Sequence, residues 1–141
     1  MTALPTDLFT AIDHVGVAVP DLDEAIAFYT STYGMRMLHE ETNEEQGVRE
    51  AMMAVGDSGS HIQLLAPLND ESTIAKFLDR SGPGVQQMAY RVTDVEAVSA
   101  ILRDHTRFSS RLTLTSVKEP PPEVVAVLRT GFPRTAAILQ M

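Results

Sequence analysis

The chain predicts an α+β fold made of two similar βαβββ halves, and three observations carry that reading. The segment Ile12-Asp13-His14-Val15-Gly16-Val17-Ala18-Val19-Pro20-Asp21-Leu22-Asp23-Glu24-Ala25 recurs once, half a chain later, as Val85-Gln86-Gln87-Met88-Ala89-Tyr90-Arg91-Val92-Thr93-Asp94-Val95-Glu96-Ala97. His14 falls on Gln87, Val19 on Val92, Asp21 on Asp94 and Asp23 on Glu96. Each copy begins with the alternation of a strand and passes into the spacing of a helix. A single repeat is too short for a solenoid, which needs three or more units to bury its core, so the copies are halves of one structure that can converge on one site.

The elements follow in order. Residues 11 to 19 alternate branched or apolar side chains with small or polar ones, and Pro20 ends the strand. Asp21 with Glu24 forms a capping box, and Leu22, Ala25, Ile26, Tyr29 and Tyr33 recur at helical spacing until Gly34 closes the helix. Met35 to Glu41 and Val48 to Val55 read as strands joined by the polar loop 42–47. Gly56-Asp57-Ser58-Gly59 is a turn, and a short strand from Ser60 to Ala66 stops at Pro67. A linking helix is capped by Ser72 or Thr73, has Ile74, Phe77 and Leu78 as its apolar face, and ends at Ser81-Gly82-Pro83-Gly84. The order then restarts with a strand over 85–92 and a helix from Asp94 to His105 that turns Val95, Val98, Ile101 and Leu102 inward. Segments 111–117, 124–129 and 135–141 have strand composition, separated by Pro120-Pro121-Pro122 and Thr130-Gly131-Phe132-Pro133.

With 141 residues the chain is one domain, 1–141, divided into a first module at 8–67, a linking helix and loop at 68–84 and a second module at 85–141. An apolar fraction of 44% with 21% charged residues is that of a soluble globular protein, and no run is long enough to span a membrane. The N-terminus has neither the basic start nor the apolar stretch of a signal peptide, and a chain without cysteine has no disulfide framework or thiolate chemistry, so a cytoplasmic location is expected. A formal charge of -8 argues against nucleic-acid binding, which needs basic surface to neutralise phosphates.

Strand alternation turns the repeat into a site. If the first strands of the two halves lie adjacent and antiparallel, His14 and Gln87 project from the same face. In the strand around Gln63, His61 and Gln63 share one face while Ile62 and Leu64 share the other, and Gln140 takes the place of Gln63 in the second half. The resulting set is His14, Gln63, Gln87 and Gln140. Taken singly, a histidine or glutamine on a strand is more often a surface or hydrogen-bonded core residue. Imidazole is the commonest metal ligand, but three glutamine carbonyls leave the charge of an ion uncompensated. Glu50 opens a strand, where a charged residue is usually solvent-facing or paired. His39 and His105 carry no motif and read as surface residues. Glu40, Glu41, Glu44 and Glu45 read as a solvated acidic loop.

The blocks Ile12 to Ala18, Asn43-Glu44-Glu45-Gln46-Gly47-Val48-Arg49-Glu50-Ala51-Met52, Gln63 to Leu78 and Gly84 to Ala89 resemble the vicinal oxygen chelate superfamily and, within it, the methylmalonyl-CoA epimerases. The resemblance covers residues 11 to about 104. It implies a curved, partly closed mixed sheet around a central cleft, a divalent metal, cobalt or manganese, that chelates the acyl-CoA substrate, and a homodimer. It also implies interconversion of 2R- and 2S-methylmalonyl-CoA by removal and return of the α-proton. His14, Gln63 and Gln87 then match metal ligands, Glu50 matches one catalytic base, and Gln140 falls where the family has a carboxylate that is the fourth ligand.

Two departures stand out. The family's His-His pair is Gln86-Gln87 here, and of the family's C-terminal pattern only Glu119-Pro120 and a strand-turn-strand outline remain. An amide does not titrate, so Gln140 can be neither acid nor base. One-base chemistry, a water as the second acid, or loss of activity would follow. The alternative is a metal-poor protein of the same fold that binds a small ligand; a glyoxalase-type isomerisation or an oxygenation fits the blocks at 43–52 and 67–78 less well.

Overall fold

The computed structural model describes residues 7–94, 97, 98, 100, 112–116 and 124–128, in an α+β architecture. The chain divides into two compact units, His14–Gln86 and Met1–Asp13 with Gln87–Met141. The division falls within two strands, β1 (Phe9–Ala18) and β5 (Gly84–Val92).

The unit of residues 14–86 holds the end of β1, then α1 (Leu22–Tyr33), β2 (Arg36–Asn43), β3 (Val48–Ala54), β4 (His61–Pro67) and α2 (Thr73–Ser81). Its strands lie in the order β2-β3-β4-β1. The two hairpins, β2 with β3 and β3 with β4, are antiparallel, whereas β1 and β4 are parallel, with His14 opposite His61 and Gly16 opposite Gln63. The expected βαβββ order is therefore present. Pro67 does not stop β4 but is its last residue, opposite Val48; a terminal position tolerates a residue that cannot donate to the ladder.

Each helix starts and stops where local chemistry dictates. The Asp21 side chain accepts the Glu24 N–H at 3.0 Å, and Gly34 takes φ 67°, a left-handed conformation that lets its N–H reach the Thr30 carbonyl. Of the two expected caps for α2, Ser72 is the one used: its Oγ accepts the Ala75 N–H at 3.0 Å. Ile74, Ala75 and Phe77 are buried on the inner face of α2, with Leu78 half-buried.

One face of this sheet is apolar. Val17, Val19, Ala51, Met53, Ile62, Leu64 and Ala66 pack against Leu22, Ala25, Ile26 and Tyr29 of α1. Register places the opposite set on the other face: His14, Gly16 and Ala18 of β1, His61, Gln63 and Leu65 of β4, and Glu50, Met52 and Ala54 of β3. Covering one face with α1 thus leaves every polar candidate of this unit on the other.

In the other unit the neighbouring strands run β1-β5-β7-β6, with β6 spanning Leu112–Ser116 and β7 Val124–Leu128. β7 pairs antiparallel with both β5 and β6. The Leu8 carbonyl accepts the Thr93 N–H at 2.9 Å, Phe9 meets Tyr90 edge to face at 5.4 Å, and Arg91 pairs with Asp13 at 2.9 Å. Asp94 caps a helical turn through the Ala97 N–H, as its echo of Asp21 implies. The strand expected at 135–141 with Gln140, the helix beyond residue 100 with His105, and the breaks at 120–122 and 130–133 lie outside the described residues.

Candidate active site

A β-bulge builds the site. Met37 lies opposite Met53, but His39, not Leu38, lies opposite Met52, so Leu38 is an extra residue in β2. Beyond it the alternation is reversed: His39 and Glu41 share a face with Met52 and Glu50, and Glu40 turns to the α1 side. There Glu40 and Asp23 both pair with Arg49, the Asp23 contact at 2.8 Å. Arg49 in turn holds the Asp23 carboxyl below its ordinary value. The two adjacent glutamates therefore have different partners.

Glu41 stands directly opposite Glu50 on the neighbouring strand, and their carboxyls share a hydrogen bond. His39 Nε2 lies 3.0 Å from Glu41 Oε2. On its other flank Glu50 is hydrogen-bonded to the side chain of Gln63. Burial pushes the Glu50 carboxyl up to about 7, the hydrogen bond and charge of Glu41 push in the same direction, and Gln63 and His39 oppose them. Glu41 is held below its ordinary value, first by His39 and then by Glu50. The two directions agree: of the pair, Glu50 is the carboxyl that holds a proton more readily. A carboxyl near 7 exchanges protons readily at neutral pH, the property a general base requires.

His14 and Gln63 lie on the same face of adjacent strands, 9% and 8% exposed, which excludes bulk water from both. His61, half-buried, is the residue directly opposite His14. Gln86 and Gln87 are both buried although they point to opposite faces of β5, so this strand is covered on both sides. Gln86 Oε1 has no hydrogen-bond partner among the described residues. Gln87 belongs to the other unit, and Gln140 lies outside the described residues. Among the described residues no cluster of three or more His, Cys, Asp or Glu side chains could hold a metal ion.

The blocks at 43–52 and 63–78 are tied together behind the site. The Gly47 carbonyl accepts the Leu68 N–H at 2.9 Å, and a Cβ on Gly47, which has φ 68°, would sit 3.0 Å from Ser72 Cβ. This contact places the cap of α2 against the hairpin that presents Glu50. The acidic stretch is corrected accordingly: Glu40 and Glu41 belong to strand β2, and only Glu44 and Glu45 sit in the exposed turn. His39 is exposed as expected, yet paired. The signal for Glu41 was in the hairpin: Asn43 and Val48 close the turn, and Glu41 and Glu50 lie two residues outward on either side.

Residues 13–111 match the Glyoxalase/Bleomycin resistance protein/Dioxygenase superfamily, and the chain belongs to that family. Within it, relatives and structural neighbours of the chain include methylmalonyl-CoA epimerases. The Ethylmalonyl-CoA/methylmalonyl-CoA epimerase of Cereibacter sphaeroides is 32% identical over 66% of this chain and 69% of its own length. The crystal structure of methylmalonyl-CoA epimerase from Mycobacterium tuberculosis superposes with a TM-score of 0.72 at 45% identity, over 90% of this chain and 83% of that one. A methylmalonyl-CoA epimerase in complex with methylmalonyl-CoA and NH4+ superposes with a TM-score of 0.69 at 36% identity, over 86% of this chain and 85% of that one.

Proposed function

We propose that this chain interconverts the 2R and 2S forms of methylmalonyl-CoA, with Glu50 as the base that removes the α-proton. The observation that carries the reading is the setting of Glu50: a part-buried carboxyl near 7, hydrogen-bonded to Gln63 on the sheet face that also carries His14. The α-proton of a malonyl thioester is acidified by two carbonyl groups, so a carboxylate of raised basicity is a competent acceptor. The similarity to epimerases, one of them bound to methylmalonyl-CoA, supports the substrate.

His14 and Gln63 fit a divalent cation as an imidazole and an amide carbonyl on one buried face, with Gln87 and Gln140 as the proposed remaining ligands. Such an ion, cobalt or manganese, would act as a Lewis acid that stabilises the enolate. The proposed donors are all neutral, which leaves the ion's charge to be balanced by the anionic substrate. Glu50, hydrogen-bonded to Gln63, is positioned to exchange a proton at one face of the enolate. Inversion requires a proton delivered to the opposite face, a role proposed for a water as the second acid. The protein is proposed to act as a cytoplasmic homodimer. Among the described residues no helix is long and apolar enough to cross a membrane.

The test is conversion of one epimer. Cobalt-loaded protein given stereochemically pure 2R-methylmalonyl-CoA should yield an equal mixture of the two epimers, resolved by chiral chromatography. Retention of the pure 2R form by cobalt-loaded protein would overturn the proposal.

A further inference from the structure

We infer that His61 is itself a ligand of the divalent ion, taking one of the two positions proposed for Gln87 and Gln140, and that it biases the site toward cobalt over manganese. The inference rests on the reading of His14 and Gln63 as ligands and deepens it. Its basis is a rectangle of four positions on one face of the unit 14–86. His14 lies opposite His61 and Gly16 opposite Gln63, on strands that pair without interruption. Cross-strand neighbours stand about 4.8 Å apart, and alternate residues along a strand roughly 6.6 Å apart. His14 and Gln63, both nearly closed to water, hold one diagonal, and half-buried His61 holds the third corner. Gly16, buried at the fourth, adds no side chain over the rectangle.

The donor chemistry selects His61 from its surroundings. The other described histidine of this face, His39, lies beyond Met52, two strands from Gln63, and is paired with Glu41. Around the rectangle the remaining residues of the face, Ala18, Leu65, Met52 and Ala54, offer no nitrogen or oxygen donor from their side chains. Two imidazoles and an amide make a neutral set, distinct from the clusters of three His, Cys, Asp or Glu that are absent among the described residues. Imidazole nitrogen favours the later first-row metals, whereas carbonyl oxygen suits manganese, so a second imidazole in place of a glutamine shifts the preference toward cobalt.

Binding of cobalt and of manganese, each alone and followed by calorimetry, tests this beside proton NMR of the cobalt-loaded protein. Paramagnetic cobalt moves the ring protons of a coordinated imidazole far outside the ordinary range. Wild type should show two shifted imidazoles, and His61→Ala and His61→Gln should each show one. Both variants should lose more cobalt affinity than the roughly 10- to 100-fold that loss of an outer partner costs, and should lose less for manganese. His39→Ala should keep both shifted imidazoles. One shifted imidazole in wild type, two that persist in a His61 variant, or unchanged cobalt affinity in both variants would overturn the role of His61 and leave His14 in place. Equal losses for the two metals would overturn the bias toward cobalt. Failure of the wild-type protein to bind cobalt would remove the ligand reading and this inference with it.

Discussion

Replacing Glu50 by glutamine, a near-isosteric change that deletes only the titration, gives a stability effect whose sign depends on pH. In the unfolded chain the Glu50 carboxyl ionises at its ordinary value of 4.5; in the folded, metal-free protein it ionises at about 7. Below the lower value both states are protonated and the group has no effect. As pH rises from 4.5 to 7 the unfolded state loses its proton first and is stabilised, so the native protein loses stability through that window and gains none of it back above. That displacement corresponds to about 3 kcal/mol, and partial exposure of the carboxyl reduces it to about 1–3 kcal/mol. Relative to wild type, Glu50→Gln should therefore be of similar stability at pH 4.5 and more stable at pH 8, by roughly 3–10 °C in melting temperature for a chain of this size. The assay is thermal melting followed by circular dichroism in the presence of a chelator, from pH 4.5 to 8. A difference between the two proteins that stays constant across that range would refute the argument that Glu50 is a carboxyl with raised affinity for its proton.

Three further outcomes follow from the geometry. Leu64 is fully buried between β4 and α1, so Leu64→Ala should cost about 2–5 kcal/mol by urea unfolding, and a loss under 1 kcal/mol would contradict the assigned core face. Gly47→Ala places a methyl 3.0 Å from Ser72 Cβ at a left-handed φ and should cost about 1–3 kcal/mol in the same measurement, with no loss if the hairpin and the α2 cap are not in contact. His14→Ala should weaken cobalt binding, measured by calorimetry, by more than the roughly 10- to 100-fold that loss of an outer partner costs; unchanged affinity would remove His14 from the ligand set.

Much of the fold was legible because local signals and long-range pattern agree. The Asp21 cap, the Gly34 stop and the alternation of β1, β3 and β4 each act within a few residues, and each leads to the same packing of α1 on the apolar face. That His14 and Gln63 share a sheet face was legible from alternation, since neither β1 nor β4 is interrupted where they pair. Glu41 and His39 were missed for a definite reason. An exposed edge strand carries little hydrophobic alternation, so nothing in its composition reveals an extra residue, and the bulge at Leu38 reverses which side chains face the site. The Asp13–Arg91 pair was hidden in a similar way, because an ion pair across two strands leaves no mark on the periodicity of either.

The central claim is that Glu50 removes the α-proton, and exchange at that carbon tests it most directly. Methylmalonyl-CoA incubated in D2O with the cobalt-loaded protein should take up deuterium at C2, and Glu50→Ala should slow the uptake by roughly a hundredfold to ten-thousandfold, the usual contribution of a positioned base. Absence of exchange with the wild-type protein, or exchange undiminished in Glu50→Ala, would contradict the account.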